Sequence, residues 1–340
     1  MSPVPERRWE TGAWVVGLAV NRAGTHAAAA LGDGSVRLLD LADPDGGPRA
    51  SQVHAGACLT IVPDLDDRGF LTGGDDGRLC RIVPGSSGDA AAEPLAEVKG
   101  RWIEHVDAEP QAGLRAFAAG RQVTLLDRAG RPACDPLDHP STVGGLAFAP
   151  KGKRLAVAHY GGVSLWWTKA PDVPTRLDWK GSHLGVIWHP AGTHVMTAMQ
   201  EAELHGWRLK DKAHMRMSGY AAKVRSFAWA ARGRWLATAG AEEVVCWPFF
   251  GGGPWDKAPL ELPGPGSAVI TAVAPHPMDP VLAAGRDDGM IFVAPLDGSA
   301  PLPLAGRGGS AVSALAWTAN GRSLLAGTED GRLSWITPAR

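Results

Sequence analysis

The chain has almost no net charge: 34 basic residues stand against 35 acidic ones. A general nucleic-acid binder carries a basic excess, so that class is disfavoured. Paired cysteines are also missing. Cys58, Cys80, Cys134 and Cys246 form no Cys-x-x-Cys, which argues against zinc, redox and haem-attachment motifs. No run approaches the ~18 apolar residues of a membrane span. The opening segment "MSPVPERRWETG" lacks the apolar centre of a secretory signal. These absences together predict a cytoplasmic, soluble protein. Nucleotide and acyl-transfer signatures are lacking too. There is no GxSxG, and Lys257 follows three glycines without the GxxxxGK[ST] spacing of a phosphate loop.

Glycine (44) and proline (27), by contrast, are plentiful, which suits many short turns better than long helices. The turns recur. "VGGLAFAPKGKRLAVAHYGGVSLWW" (143–167), "VRSFAWAARGRWLATAGAEEVVCW" (224–247) and "VSALAWTANGRSLLAGTEDGRLSW" (312–335) each read as strand, glycine turn, strand, polar turn, strand. "VVGLAVNRAGTHAAAALGDGSVRLLD" (15–40) has the same grammar. Gly34 to Gly77 is 43 residues and Gly289 to Gly331 is 42. A period of ~40–45 residues with four strands each is the signature of a propeller blade. Between repeats, "EPLAEVKG", "PTRLDWKG", "AHMRMSGY", "APLELPG" and "PLPLAGR" supply the fourth strands. "HAAAALGD" alone reads as helix, because alanine favours helix over strand; its place in the repeat assigns it to a strand.

The expected fold is therefore all-β. It is a single domain, residues 1–340, forming a closed propeller of four-stranded antiparallel blades. Eight blades are favoured and seven is the alternative. The repeats run approximately over 12–40, 54–83, 99–127, 139–168, 182–209, 220–249, 266–295 and 308–337. No strand remains after "RLSWITPAR" to finish the last blade, so residues 4–11 are expected to complete it, because an open ring would expose sheet edges.

These patterns resemble the WD-repeat β-propeller family over essentially the whole chain, as a degenerate, bacterial-type member. "DHPSTVGGLAFAPKGKRLAVA" follows that family's Gly-His, strand, Pro-Asp-Gly pattern. "LTGGDDGRLCRI" and "GTEDGRLSWI" follow its Asp-Gly turn and third strand. The turn histidine survives as His54 and His139, with Tyr220 in its place once. The third-strand tryptophan stands as Trp166, Trp207 and Trp247. The family's buried Asp-His-Ser-Trp network is accordingly expected to be mostly absent. The resemblance implies a non-catalytic scaffold for protein–protein interaction, monomeric on its own, with no cofactor. The alternative is a propeller enzyme or a small-ligand or metal-binding protein acting at a central channel.

Several residues are candidate sites. His183, His189, His194, His205 and His214 crowd one repeat. However, His183 and His189 flank one strand at opposite ends, roughly 20 Å apart at ~3.3 Å per residue, too far to share a metal. The turn acids Asp33, Asp76, Asp288 and Asp330 recur because Asp suits such turns, and a recurring structural acid is a poor single catalyst. Partner binding is the better reading. Trp14 and Trp102 align at the start of the first strand, at the position shared by Lys223, and suit hot-spot anchors; burial between blades is the competing account. In the implied fold one face gathers Lys151, Lys153, Arg154, Lys169, Lys210, Lys212, Arg232, Arg234 and Lys257 from some repeats. The same face gathers Asp64, Asp66 and Asp67 from another. Such a split would orient an approaching protein. The insertion "FFGGGPWDK" (249–257) lies on that face. Phe249 is expected in the core, and Phe250, Trp255 and Lys257 are proposed contacts beside Lys210 and Lys212.

Overall fold

The computed structural model describes residues 6–85 and 90–338. The expected closing strand is thus described only from Glu6 onward. The chain divides into two compact units, one of residues 1–18 and 217–340, the other of residues 19–216.

The first unit holds three four-stranded antiparallel sheets. One runs Phe227–Ala230, Trp235–Thr238, Val244–Pro248, Leu260–Leu262. The next runs Ile270–Pro275, Val281–Arg286, Ile291–Pro295, Leu302–Ala305. The third takes Val312–Trp317, Leu324–Thr328 and Arg332–Ile336 from the end of the chain. Its fourth strand is Glu6–Glu10, with Trp9 opposite Leu333, as the missing last strand required.

In the second unit the alanine run settles as strand His26–Leu31, with Ala27 to Ala30 wholly buried. A strand covered on both faces needs small apolar residues on both, so burial overrides helix propensity. It stands in the sheet order Val15–Val20, His26–Leu31, Ser35–Asp40, Arg49–Gln52. Two further four-stranded sheets follow, beginning at Cys58–Pro63 and at His105–Glu109.

The fourth and fifth repeats differ. They share one six-stranded sheet, which makes seven sheets among the described residues, not the eight expected. Two 14-residue runs, Arg154–Trp167 and Thr175–Trp188, carry the join. Residues 155–159 pair with Val143–Phe148, residues 162–165 pair with 175–178, and residues 183–188 pair with 195–199. Tyr160 pairs with Ser182 and bridges the two ladders. The sequence offers "HYGG" there in place of an Asp-Gly turn, and Gly161 and Gly162 take φ of 90° and 139° without a steric cost.

The repeat's polar network is more complete than the sequence suggested. His54 bonds Asp76 and Thr72, each at 3.0 Å. Trp166 Nε1 donates to His139 at 3.0 Å. Trp247 Nε1 donates to the Tyr220 hydroxyl at 2.7 Å, which bonds Thr238 at 2.8 Å. His183, not a turn histidine by sequence, bonds Thr197 at 2.8 Å. Threonine takes the serine's role and the partners come from neighbouring positions, so motif matching undercounts the network.

Candidate functional site

The first strands of the sheets in the 1–18/217–340 unit are irregular in a useful way. Ile270 pairs with Arg286 and Ala272 with Gly285, leaving Thr271 as an extra residue. Val312 pairs with Thr328 and Ala314 with Gly327, leaving Ser313 extra. A bulge re-aims the unpaired residue's side chain. Thr271 Oγ1 donates to Val312 O at 2.7 Å, and Ser313 Oγ donates to Val15 O at 2.6 Å. Ser226 Oγ accepts from Val273 N at 3.0 Å. These hydroxyls tie each first strand to the next. Glycine on the second strand lets them approach. A Cβ on Gly285 would lie 2.4 Å from Val312 Cγ1, and one on Gly327 2.3 Å from Val15 Cγ1.

A pocket of about 560 Å³ opens over this row, and its wall includes Trp14, Lys223, Arg225, Asp287 and Glu329. Trp14 is 46% exposed. The burial alternative for it is therefore replaced by a half-open indole. Two of the sequence candidates, Trp14 and Lys223, line one pocket. Three charged residues in it were missed: Arg225, Asp287 and Glu329. A signal for two of them was present. In "RDDG" and "TEDG" the turn uses the second acid, as when Asp288 Oδ1 accepts from Met290 N at 3.1 Å. The first acid of each doublet is spare, and it lines the pocket.

The other candidates lie elsewhere. Trp102 is 60% exposed in the 19–216 unit. Lys210 and Lys212 are exposed in the turn after Leu204–Arg208, in that same unit. In the insertion, Phe249 is buried and stands edge-on to Trp229 at 4.7 Å. Phe250 is at the surface, with Arg234 5.1 Å and Lys257 4.9 Å from its ring centre. Lys257 Nζ donates to Gly253 O at 2.8 Å and to Phe250 O. Its ammonium group thus staples the insertion shut. Trp255 is half-buried and covers Gly253, where a Cβ would lie 2.2 Å from its ring.

The acidic side of the proposed split face does not present itself as expected. Asp64 is fully buried and bonds Arg115 through both carboxylate oxygens, at 2.6 and 2.9 Å. Arg81 bonds Asp64 at 2.9 Å and Asp66 at 2.6 Å. Connectivity placed these acids on a loop; it did not show that arginines of neighbouring strands bond Asp64 and Asp66, whereas Asp67 is exposed as expected. Among the described residues, no group of three His, Cys, Asp or Glu is placed to hold a metal ion, and no helix is long and apolar enough to cross a membrane.

The family model "WD domain, G-beta repeat" matches residues 257–293 and 303–335. Those spans cover the sheets that wall the pocket at Asp287 and Glu329. Residues 257–335 thus read as WD repeats, and the four-stranded sheets before them repeat the same plan. A solved structure of a computationally designed protein, Ika8, matches 97% of this chain and 98% of its own, at 17% identity with a TM-score of 0.75. That likeness concerns the fold alone. No curated protein matches the sequence.

Proposed function

We propose that this WD-repeat propeller is a non-catalytic docking platform that engages protein partners through the pocket beside Trp14. One observation carries the reading. An exposed indole shares a pocket with Lys223, Arg225, Asp287 and Glu329, and none of these charged groups has a hydrogen-bond or ion-pair partner among the described residues. Asp64 and Arg115, by contrast, satisfy each other inside the protein. The pocket's floor is sheet, so little ordering entropy is lost when a partner binds. Aromatic anchors dominate such interfaces, with about 2 kcal/mol or more lost on truncation to alanine.

The test is affinity capture from the native cell with the intact chain beside Trp14→Ala. Each captured protein is then titrated against both purified forms. Partners should bind Trp14→Ala at least about tenfold more weakly, with an unchanged thermal midpoint. Equal binding by both forms would reject the pocket as the docking site.

A further inference from the structure

The charges around the pocket are not mixed at random. Its wall is contributed, from one first strand to the next, by Ala222, Lys223, Arg225 and Ser226, then Val269–Thr271 with Asp287, then Val312–Ser313 with Glu329, then Trp14. Hydrogen bonds set neighbour against neighbour in that order. Ser226 bonds Val273, Thr271 bonds Val312, and Ser313 bonds Val15. The acidic turns are held in the same row. Asp287 N donates to Val269 O and Glu329 N to Ala311 O, each at 3.0 Å, and Thr11 Oγ1 donates to Gly331 O at 2.8 Å. Lys223 and Arg225 therefore stand at one end. Asp287 and Glu329 follow, and the Trp14 indole stands at the other end.

We propose that the occupant is a peptide segment carrying both signs of charge. It places an acidic side chain over Lys223 and Arg225, and a lysine or arginine against Glu329 and the face of Trp14. This deepens the docking reading above and rests on it. A cation near an indole face and a carboxylate gains from both at once. A segment of one sign satisfies one end and is repelled at the other, and like-charge juxtaposition costs several kcal/mol. A nucleic-acid backbone meets the same repulsion at Asp287 and Glu329. The sheet floor at Ile270 and Val312 takes the small or apolar residues between the two charges.

A displayed library of random peptides, panned against the purified full chain, supplies the probe. Selected sequences should pair a basic with an acidic residue. A synthetic copy of one should bind Glu329→Lys about tenfold more weakly, and replacing its basic residue by glutamate should restore binding to that variant. Lys223→Glu should show the mirror pattern with the peptide's acidic residue. All substituted side chains are exposed, and the restored pair certifies that the variant is folded. Peptides that need Trp14 but carry one sign, or that ignore Glu329→Lys, would overturn the two-sign inference and leave the docking pocket standing. Selection of no peptide that Trp14→Ala weakens, including selective capture of single-stranded nucleic acid added as a competitor, would overturn both.

Discussion

Residues 19–216 bury their ionisable groups with partners or as neutral rings, whereas the unit of residues 1–18 and 217–340 leaves a buried cation half-bonded. In the former, Asp64 meets Arg115 and Arg81 inside the protein. His205 lies fully buried with neither ring nitrogen bonded among the described residues, but it stacks on Trp179 at 3.9 Å and 17°. Burial, with His214 and His183 nearby, pushes its pKa down to about 3, so it stays a neutral aromatic. In the latter unit, the fully buried Arg286 donates Nη1 to Ala268 O, while Nε and Nη2 find no partner among the described residues. Its guanidinium centre lies 5.4 Å from the Phe292 ring centre. A neutral unpaired ring costs little beyond desolvation, whereas an unpaired buried donor on a cation costs considerably more. The same two units differ in their surface charge. Residues 19–216 spend Asp66 on Arg81; the unit of residues 1–18 and 217–340 keeps Lys223, Arg225, Asp287 and Glu329 unpaired among the described residues around its pocket.

The sharpest way to break this comparison is Asp64→Ala. It strands Arg115 and should cost about 3–5 kcal/mol, the range for removing one partner of a buried pair. Chemical denaturation measures it, and a loss below about 1 kcal/mol would show that water replaces the carboxylate.

Acid should come next, and unequally. Burial holds His139 and His194 down to about 4 and His205 to about 3, all in residues 19–216. Their folded pKa values lie below the ordinary ~6.5, so between those limits the unfolded chain binds more protons. Stability from these groups is complete above about pH 6.5 and is lost as pH falls toward 4. Hydrogen exchange at pH 4.5 against pH 7.5 should show faster opening chiefly in residues 19–216, and His205→Phe should flatten the dependence.

A smaller effect, of opposite sign, is expected at Arg286. Replacement by methionine removes two unfilled donors and keeps the packing on Phe292, so stability should be unchanged or gain about 1 kcal/mol. A loss above about 2 kcal/mol would mean that the donors are satisfied in solution. The smallest effect is Lys257→Met. It should loosen the insertion, raise proteolytic nicking at 250–254, and cost about 0.5–1 kcal/mol of thermal stability.

Much of the architecture was written in local pattern. Glycine spacing marked the repeats, and "AHMRMSGY" supplied an outer strand, which forms at His214–Met217. The unfinished last repeat called for the N-terminal strand that pairs at Trp9 and Leu333. The site was legible only in part. Trp14 and Lys223 stood out by alignment, but Asp287 and Glu329 hid as the first members of acid doublets whose second members explain themselves as turn residues.

Periodicity, turn chemistry and strand patterning are properties of neighbouring residues, so the sequence by itself determined the repeat, its four strands and the all-β class. Which charges are buried and which stay free depends on residues far apart in the chain. Asp64 needs Arg115, 51 positions away, to be enclosed. Thr271 and Ser313 reach the next strand only because bulges turn them. The joining of two repeats into one sheet rests on two long strands that pair at Tyr160 with Ser182 and at residues 162–165 with 175–178. Tertiary structure decided these, because a buried charge or a bulge is stable only when its partner arrives from elsewhere in the fold.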